Sequence, residues 1–280
     1  MSDDNKVKET TEALEVIARA VPVYQDAVQP AARQVGQALE TVAKSIHIAL
    51  APISALVWGY EHISDFLSTR VAEKLKDVPP SNIETPDPSV AGPALEALRY
   101  TGHQEALREM YANLLATSLD AQTARAAHPS FVEMIRNMSP DEAKIMLLFA
   151  SRRTHPVVDL QSSSKDKTGY IVILAGYSHV GHLAGCDHPD LTPTYLNNLD
   201  RLGLVEIQEG HYITAPGTYE PLEGSTELDD IRARILQTPG REPLFDRKVV
   251  TVTPLGLQFI RACVLDKRVQ RGVGDPAEHR

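Results

Sequence analysis

The fold is decided by the stretch Arg108–Ala150, which reads REMYANLLATSLDAQTARAAHPSFVEMIRNMSPDEAKIMLLFA. Its hydrophobic periodicity predicts three helices joined by two corners. Pro129 predicts the start of the second helix, because a residue in the first helical turn can lack an N–H without losing a hydrogen bond. Ser139, Pro140 and Glu142 have the spacing of a capping box, in which two side chains satisfy backbone N–H groups reciprocally. We therefore expect a helical bundle around this stretch, with the third helix buried nearly all round.

The first helix of this stretch has two different faces. Apolar residues recur at helical spacing and predict the side that faces the core. They are Leu107, Met110, Tyr111, Leu114 and Leu115. Polar and charged side chains, among them Glu109, Asn113 and Thr117, occupy the other side of the helix.

Three runs of this region are similar to a known family. They are Met110–Asp120 (MYANLLATSLD), His128–Val132 (HPSFV) and Ser139–Ala143 (SPDEA), and they occur in this order. Over about residues 52–151, and more loosely outside them, the chain resembles the bacterial Abi-alpha (abortive infection) family. The resemblance implies a role in defence against phage. It implies no catalytic residue, so the mechanism has to be inferred from the residues of this chain.

A second helical pattern precedes this region. Apolar residues recur every seven positions from Leu39 to Leu67, which predicts a seam where helices pack side by side. Pro52 predicts a kink or a break in that helix. Between residues 46 and 60 the flanking positions are apolar as well, so this segment needs cover on all sides. We expect an interaction surface formed by Ile46, Ile53, Leu56, Val57, Trp58 and Tyr60.

Two kinds of cover suit residues 46–60. A second copy of the chain would bury the same patch twice, which predicts a homo-oligomer and in the simplest case a dimer. The alternative is lipid, with the protein peripheral at the inner membrane. The apolar window contains His47 and Pro52 and is shorter than the roughly 20 apolar residues of a membrane span. We therefore expect protein rather than lipid to cover it.

After Ser151 the helical spacing gives way to short β-branched runs. The predicted strands are His155–Leu160, Tyr170–Leu174, Leu204–Ile207 and Lys248–Val252. Thr192 and Pro193 predict one helix start and Thr253 and Pro254 another. The order helix, strand, wing, strand, helix resembles a winged-helix module, although residues 212–243 form a long acidic insertion in place of a compact wing.

These patterns predict a mainly α protein with an N-terminal helical bundle followed by a smaller α+β domain. The bundle comprises residues 1–151 and includes a proline-rich strap at residues 77–93. The winged-helix-like domain comprises residues 152–265, and residues 266–280 form a flexible tail.

The composition limits the classes of partner. The chain of 280 residues has a formal net charge of −9, which provides no general attraction to nucleic acid or to anionic membranes. The polar, acidic start MSDDNKVKETTE does not resemble a secretory signal, and the chain has only two cysteines. Together these features predict a cytoplasmic protein without structural disulfides.

One cluster has side chains that can bind a metal. His179, His182, Cys186 and His188 follow one another in YSHVGHLAGCDH, and all are acceptable zinc ligands. Their spacing, H-x2-H-x3-C-x-H, fits no standard zinc module. The alternative is a glycine-rich turn with exposed or backbone-bonded histidines. We predict that these residues hold no resident metal and that the protein has no cofactor.

The predicted second helix of the winged module offers Asn197, Asn198 and Arg201 as contacts to nucleic acid. Residues 190–265 contain 7 Lys and Arg against 11 Asp and Glu, a net charge of −4. Such a charge is unfavourable for binding phosphates. We therefore expect this module to contact protein rather than DNA.

No standard catalytic motif occurs in the chain. It lacks a nucleophile elbow, a P-loop, a dinucleotide fingerprint and an HExxH sequence. We expect a non-enzymatic abortive-infection protein that acts through protein–protein or membrane-directed contacts and responds to a phage or host protein. The alternatives are a winged-helix transcriptional regulator and a hydrolase whose site residues are separated in the sequence.

The seam makes a first prediction. Leu56→Asp or Val57→Asp places a carboxylate in the surface that a second copy would cover, so either change is expected to give a monomer or an aggregate. Light scattering of the purified protein measures this. A wild-type protein that is a monodisperse monomer without detergent would contradict both kinds of cover.

Overall fold

The computed structural model describes residues 65–102, 104–166 and 168–266. The predicted interaction surface at residues 46–60 and the predicted tail after Asp266 lie outside the described residues. The described chain is a mixed α+β structure in which helices predominate, as the sequence predicts. No helix formed by these residues is long and apolar enough to cross a membrane.

The first half of the described chain is helical. Its elements are a π-helical turn Leu67–Val71 that continues as α1 (Ala72–Leu75), then α2 (Pro88–Thr101), α3 (Glu105–Leu119), α4 (Ser130–Arg136) and α5 (Pro140–Ser151), with 3-10 turns at Pro80–Asn82 and Ala124–Ala126. The second half contains strands and short helices. They are β1 (Thr154–Ser164), β2 (Tyr170–Tyr177), α6 (Val180–Ala184), α7 (Thr192–Arg201), β3 (Val205–Gln208), α8 (Glu220–Glu223), α9 (Asp229–Gln237), β4 (Arg241–Val252) and α10 (Pro254–Phe259), with 3-10 turns at Pro189–Leu191 and Thr226–Leu228 and a final π-helical turn Ile260–Val264.

Both predicted corners form. Ser139 Oγ accepts a hydrogen bond from the Glu142 backbone N–H at 3.3 Å, and Glu142 Oε2 accepts one from the Ser139 N–H at 2.6 Å. The capping box is therefore confirmed. At the other corner His128 Nδ1 accepts from the backbone N–H of Ser130 at 3.1 Å, which orders the start of α4. His128 thus has the structural role that its place before Pro129 suggests.

The start of α2 differs from the sequence prediction. Backbone hydrogen bonds of 2.9 Å join residues 82–84 to residues 119–121 and hold the proline-rich segment against the end of α3. The sequence pattern predicts that this helix begins near residues 90–93, but α2 begins at Pro88. The reason is that Asp87 Oδ1 accepts a backbone N–H of the first turn at 2.8 Å and caps the helix.

α3 is buried on its polar side as well as on its apolar side. Asn113 and Thr117 are both buried. Asn113 Nδ2 donates to the carbonyl oxygens of Cys263 and Val264 at 3.0 and 3.2 Å, and Thr117 Oγ1 donates to that of Ala262 at 3.1 Å. The polar face of α3 therefore binds the last turn of the described chain, whose carbonyl groups would otherwise lack a partner within that turn.

α5 is buried on most sides. Ile145, Met146 and Phe149 are fully buried, whereas the Leu147 side chain is 59% exposed. The expectation that this helix is buried nearly all round is wrong at Leu147. This residue therefore lies on the solvent side of α5.

The strands form one antiparallel sheet with the order β2-β1-β4-β3. β1 and β4 are the long central pair, in register from Thr154 opposite Thr251 to Ser164 opposite Arg241. The order α7, β3, β4, α10 matches the winged-helix pattern, but a winged-helix fold is not confirmed. β4 continues into the larger sheet with β1, and the acidic insertion contains α8 and α9.

One hydrophobic core runs through both halves of the described chain. It includes Leu114 of α3 and Phe149 of α5 together with Leu196 of α7, Val250 of β4 and Phe259 of α10. A smaller core lies between the sheet and the acidic insertion. It contains Val158, Leu160, Tyr177, Tyr219, Leu222, Leu228 and Ile235.

A buried carboxylate joins the two halves. Asp141, in the first turn of α5, is only 4% exposed. It accepts hydrogen bonds from the backbone N–H groups of Asp187 and His188 at 2.9 and 3.0 Å and from the Tyr195 hydroxyl at 3.1 Å. Lys144 Nζ lies 3.0 Å from the same carboxylate. Burial raises the pKa of Asp141, but the bonds from these groups outweigh it and lower the pKa to about 2.

This geometry predicts that Asp141→Asn lowers the free energy of unfolding by about 2 kcal/mol at neutral pH, because charge-assisted hydrogen bonds are lost. The loss should shrink between pH 4 and pH 2, since the Asp141 carboxylate has its lowered pKa of about 2 in the folded protein and its ordinary value of 3.8 in the unfolded chain. Urea denaturation at several pH values measures both effects. Asp187→Asn is the matched control, because the Asp187 side chain is 75% exposed and contacts only Lys144 among the described residues. Equal destabilisation by the two changes would contradict the role of Asp141.

Candidate functional site

A cavity of about 310 Å³ lies where α5 ends and the sheet begins. The residues after α5, the first residues of β1, the turn between β2 and α6, and the loop before α8 line it. Its polar lining consists of Arg152, His155, Ser178, His179 and Thr218. Prolines, Val180 and leucines supply the apolar walls. None of the described residues that line this cavity is acidic, although the chain as a whole has a net charge of −9.

His155 is the most confined polar group of the cavity lining. Its side chain is 2% exposed, and Nε2 lies 3.0 Å from the carbonyl oxygen of Arg152. A carbonyl oxygen can only accept, so Nε2 carries the proton and Nδ1 presents a lone pair. Nδ1 is buried and has no hydrogen-bond partner among the residues that the structure describes. Burial and the nearby charge of Arg152 lower the pKa of His155, so its ring is neutral at physiological pH.

The other polar groups of the lining are held in place by the protein. Ser178 is buried and its hydroxyl donates to the carbonyl oxygen of Pro156 at 2.8 Å. Thr218 Oγ1 donates to the Ala215 carbonyl oxygen at 2.7 Å. Because both hydroxyl protons have an acceptor within the protein, these groups shape the cavity rather than offer a nucleophile.

A hydrogen-bonded cluster adjoins the cavity through His179. The Tyr177 hydroxyl lies 3.2 Å from His179 Nε2, 2.7 Å from Ser225 Oγ and 2.9 Å from Glu227 Oε2. Glu227 Oε1 lies 3.0 Å from His182 Nε2. Burial and the neighbouring carboxylate raise the pKa of Tyr177 to about 12, so its hydroxyl stays protonated. The cluster therefore fastens the 3-10 turn of the acidic insertion to the turn after β2.

The four candidate metal ligands do not converge in the described structure. His179 and His182 meet edge to face, with ring centroids 6.0 Å apart, and each of them binds a partner of the hydrogen-bonded cluster. Cys186 Sγ lies 3.6 Å from the carbonyl oxygen of Asp141, and the backbone N–H of His188 donates to the carboxylate of Asp141. Within residues 65–102, 104–166 and 168–266 no group of three or more potential ligands is placed to hold a metal ion.

The candidate nucleic-acid contacts lie on α7. Asn197 is exposed. Asn198 Nδ2 donates to Glu142 Oε1 at 2.7 Å, and Arg201 Nη2 donates to Asn198 Oδ1 at 2.7 Å. Two of the three side chains are therefore engaged in contacts within the chain, which tie α7 to the start of α5.

Strand β2 presents an exposed apolar surface. Tyr170, Ile171, Val172 and Ile173 are 62%, 57%, 42% and 47% exposed. Alternate residues of a strand point to opposite faces, so both faces of this segment are apolar and open. β2 is also an edge of the sheet, and its backbone N–H and C=O groups on the side away from β1 have no strand beside them among the described residues. We refer to residues 170–174 as the β2 edge.

Sequence reasoning missed most of these features. The pattern YSHVGH identified His179 as a candidate metal ligand, whereas in the structure His179 lines the cavity. Nothing in the local sequence singles out Arg152 or His155, since the cavity depends on how α5, β1 and the acidic insertion meet. The exposure of the β2 edge was missed for the same reason, because a β-branched run is typical of a buried strand as well.

The fold and the site define a mainly helical α+β protein with an exposed edge strand and a small cavity whose described lining residues include no acid. The model of the Abortive infection alpha family matches residues 59–263, which include the whole sheet. The chain belongs to this family, and the resemblance inferred from its sequence is confirmed. The family indicates a role in abortive infection.

No protein of curated function matches the chain. A solved structure of an uncharacterized protein from the hydrocarbon-degrading marine bacterium Alcanivorax borkumensis SK2 is similar at 21% sequence identity and a TM-score of 0.34. The similarity covers 50% of this chain and 92% of that protein.

Proposed function

We propose that this protein acts in abortive infection without catalysing a reaction, through contacts between copies of itself along the β2 edge. The observation that supports the proposal is the exposure of four consecutive apolar side chains on an edge strand. Such an edge is a template for pairing with another strand, and monomeric proteins normally block it with charges, prolines or a covering element. The β2 edge contains neither a charged residue nor a proline.

The charge of the chain favours a second copy at this surface. Two chains that each carry a formal net charge of −9 repel each other, so they meet best where the surface is neutral. Residues 169–186 contain no Asp, Glu, Lys or Arg. The β2 edge is therefore a place where two copies can meet without burying like charges.

The geometry of an antiparallel pair suits the β2 edge. If two β2 strands pair about a two-fold axis at Val172, Tyr170 of one copy opposes Leu174 of the other and Ile171 opposes Ile173. Every cross-strand pair is then apolar, and both copies use the same surface. For residues 46–60 the sequence predicts a helix, and a helix cannot supply the extended backbone that an edge strand needs.

The proposal predicts that placing lysine at both positions 171 and 173 dissociates the oligomer. In the double variant Ile171→Lys, Ile173→Lys, each lysine opposes another lysine, and apolar burial worth about 1 kcal/mol or more per side chain is lost. We expect the dissociation constant to rise at least about 100-fold, as measured by analytical ultracentrifugation. In a plaque assay the same variant should lose protection against phage that the wild type restricts.

Two controls make this experiment specific. Leu244→Lys changes an apolar residue that is 47% exposed on β4 of the same sheet, and it should leave both the oligomer and the protection intact. The second control is the double variant Ile171→Glu, Ile173→Glu, which by itself should also be a monomer. When it is mixed with the lysine variant, the two should form a heterodimer, because opposite charges then face each other. A wild-type monomer, or an oligomer that both double variants retain, would refute the β2 contact. If Leu56→Asp dissociates the oligomer and the β2 variants do not, the surface at residues 46–60 is the interface instead.

A winged-helix regulator is the second candidate. The order α7, β3, β4, α10 supports it. The net charge of −4 over residues 190–265 and the engagement of Asn198 and Arg201 with each other and with α5 favour a protein-binding module instead. Footprinting of a specific DNA site by the purified protein would establish the regulator. If the protein binds no DNA at either low or high salt, the regulator is refuted and the contact between copies is the better candidate.

A further inference from the structure

We propose that the cavity lined by Arg152 and His155 binds a small organic molecule that carries a phosphate or a carboxylate at one end and an O–H or N–H donor at the other. This inference rests on the cavity alone and does not depend on the β2 contact.

The charge of the cavity lining indicates the anionic end. Arg152 is exposed at the end of α5 and is the one charged residue in the lining, and no Asp or Glu of the described chain belongs to it. The lining therefore has one positive charge, that of Arg152, and no negative charge among the described residues. A guanidinium group presents its N–H donors in a planar fork that matches two oxygens of a phosphate or a carboxylate.

His155 indicates the other end of the ligand. Its Nε2 proton is engaged by the carbonyl oxygen of Arg152 at 3.0 Å, so Nδ1 can only accept. Nδ1 is buried without a partner, and a buried acceptor that lacks a donor costs free energy. His155 lines the cavity, so a ligand hydroxyl or amine that reaches its ring would satisfy Nδ1. The charge of Arg152 and the lone pair of His155 thus call for an anion and a hydrogen-bond donor in the same molecule.

The volume and the walls of the cavity limit the size of the ligand. At about 310 Å³ the cavity is at the small end of the range of ligand sites, which suits a single sugar phosphate or mononucleotide rather than a polymer. Pro156, Leu183, Pro216 and Leu222 contribute apolar surface against which the body of such a molecule can pack. The loop before α8 forms one of these walls, so a bound molecule would also touch the acidic insertion.

The experiment is calorimetric titration of the full-length protein with four probes. Two probes, ribose 5-phosphate and the sugar acid gluconate, carry both an anion and hydroxyl groups. Ribose lacks the anionic group, and inorganic phosphate lacks the sugar. We expect the first or the second probe to bind, ribose not to bind, and inorganic phosphate to bind more weakly than the better of the two. The phosphate and carboxylate arms distinguish which anion the cavity prefers.

Three variants test the location. Arg152→Gln should weaken binding roughly tenfold or more, because a charge-assisted pair is lost. His155→Phe keeps an aromatic ring beside Phe149 but has no acceptor in place of Nδ1, and it should weaken binding of the hydroxylated probes without changing that of inorganic phosphate. Arg153→Gln is the matched control, since Arg153 is the neighbouring exposed arginine and is not part of the cavity lining, and it should have no effect.

Several results would overturn the proposal. Binding of none of the probes at millimolar concentration would do so, as would equal weakening by Arg152→Gln and Arg153→Gln, which would indicate a general charge effect. Binding of inorganic phosphate as tight as that of the sugar phosphate and unaffected by either arginine change would mean an adventitious ion only. Circular dichroism of each variant excludes loss of folding as the cause.

Discussion

The ionised carboxylate of Asp141 is the interaction on which the arrangement of the two halves depends. It is buried in the first turn of α5 and accepts hydrogen bonds from two backbone N–H groups that follow α6 and from Tyr195 of α7. The other end of α5 leads into Arg152, which lines the cavity. The first turn of α5 therefore contacts the second half of the chain through Asp141, and its last turn leads to the candidate ligand site. Any change in the position of α5 would alter both.

The sequence predicted those parts of the fold that depend on local signals. Ser139, Pro140 and Glu142 start α5 because a capping box is satisfied by residues three positions apart. The sequence did not predict that Asn113 is buried, because a polar residue on a helix looks solvent-exposed until its distant partner, here the carbonyl oxygens at the end of the described chain, is known. The change from helical to β-branched patterns after Ser151 located the sheet but not its strand order.

The candidate site was less predictable than the fold for the same physical reason. The cavity brings together groups from the end of α5, β1, the turn after β2 and the acidic insertion. These segments are separated in the sequence, so no spacing pattern predicts that they are neighbours. His179 and His182 attracted a metal hypothesis because they are close in sequence, but in the structure Tyr177 and Glu227 bind them. The exposure of the β2 edge depends on its place at the end of the sheet, which follows from the long pairing of β1 with β4.

We propose that another copy of the chain covers the β2 edge in the working protein. Hydrogen exchange of those backbone amides of residues 170–174 that point away from β1 tests it most directly, because an amide on an open edge exchanges rapidly and one paired across an interface does not. We expect slow exchange in the wild-type oligomer and fast exchange in the variant with lysine at positions 171 and 173, with the amides of the central strand β1 slow in both. Fast exchange at residues 170–174 in the wild-type oligomer would contradict the claim.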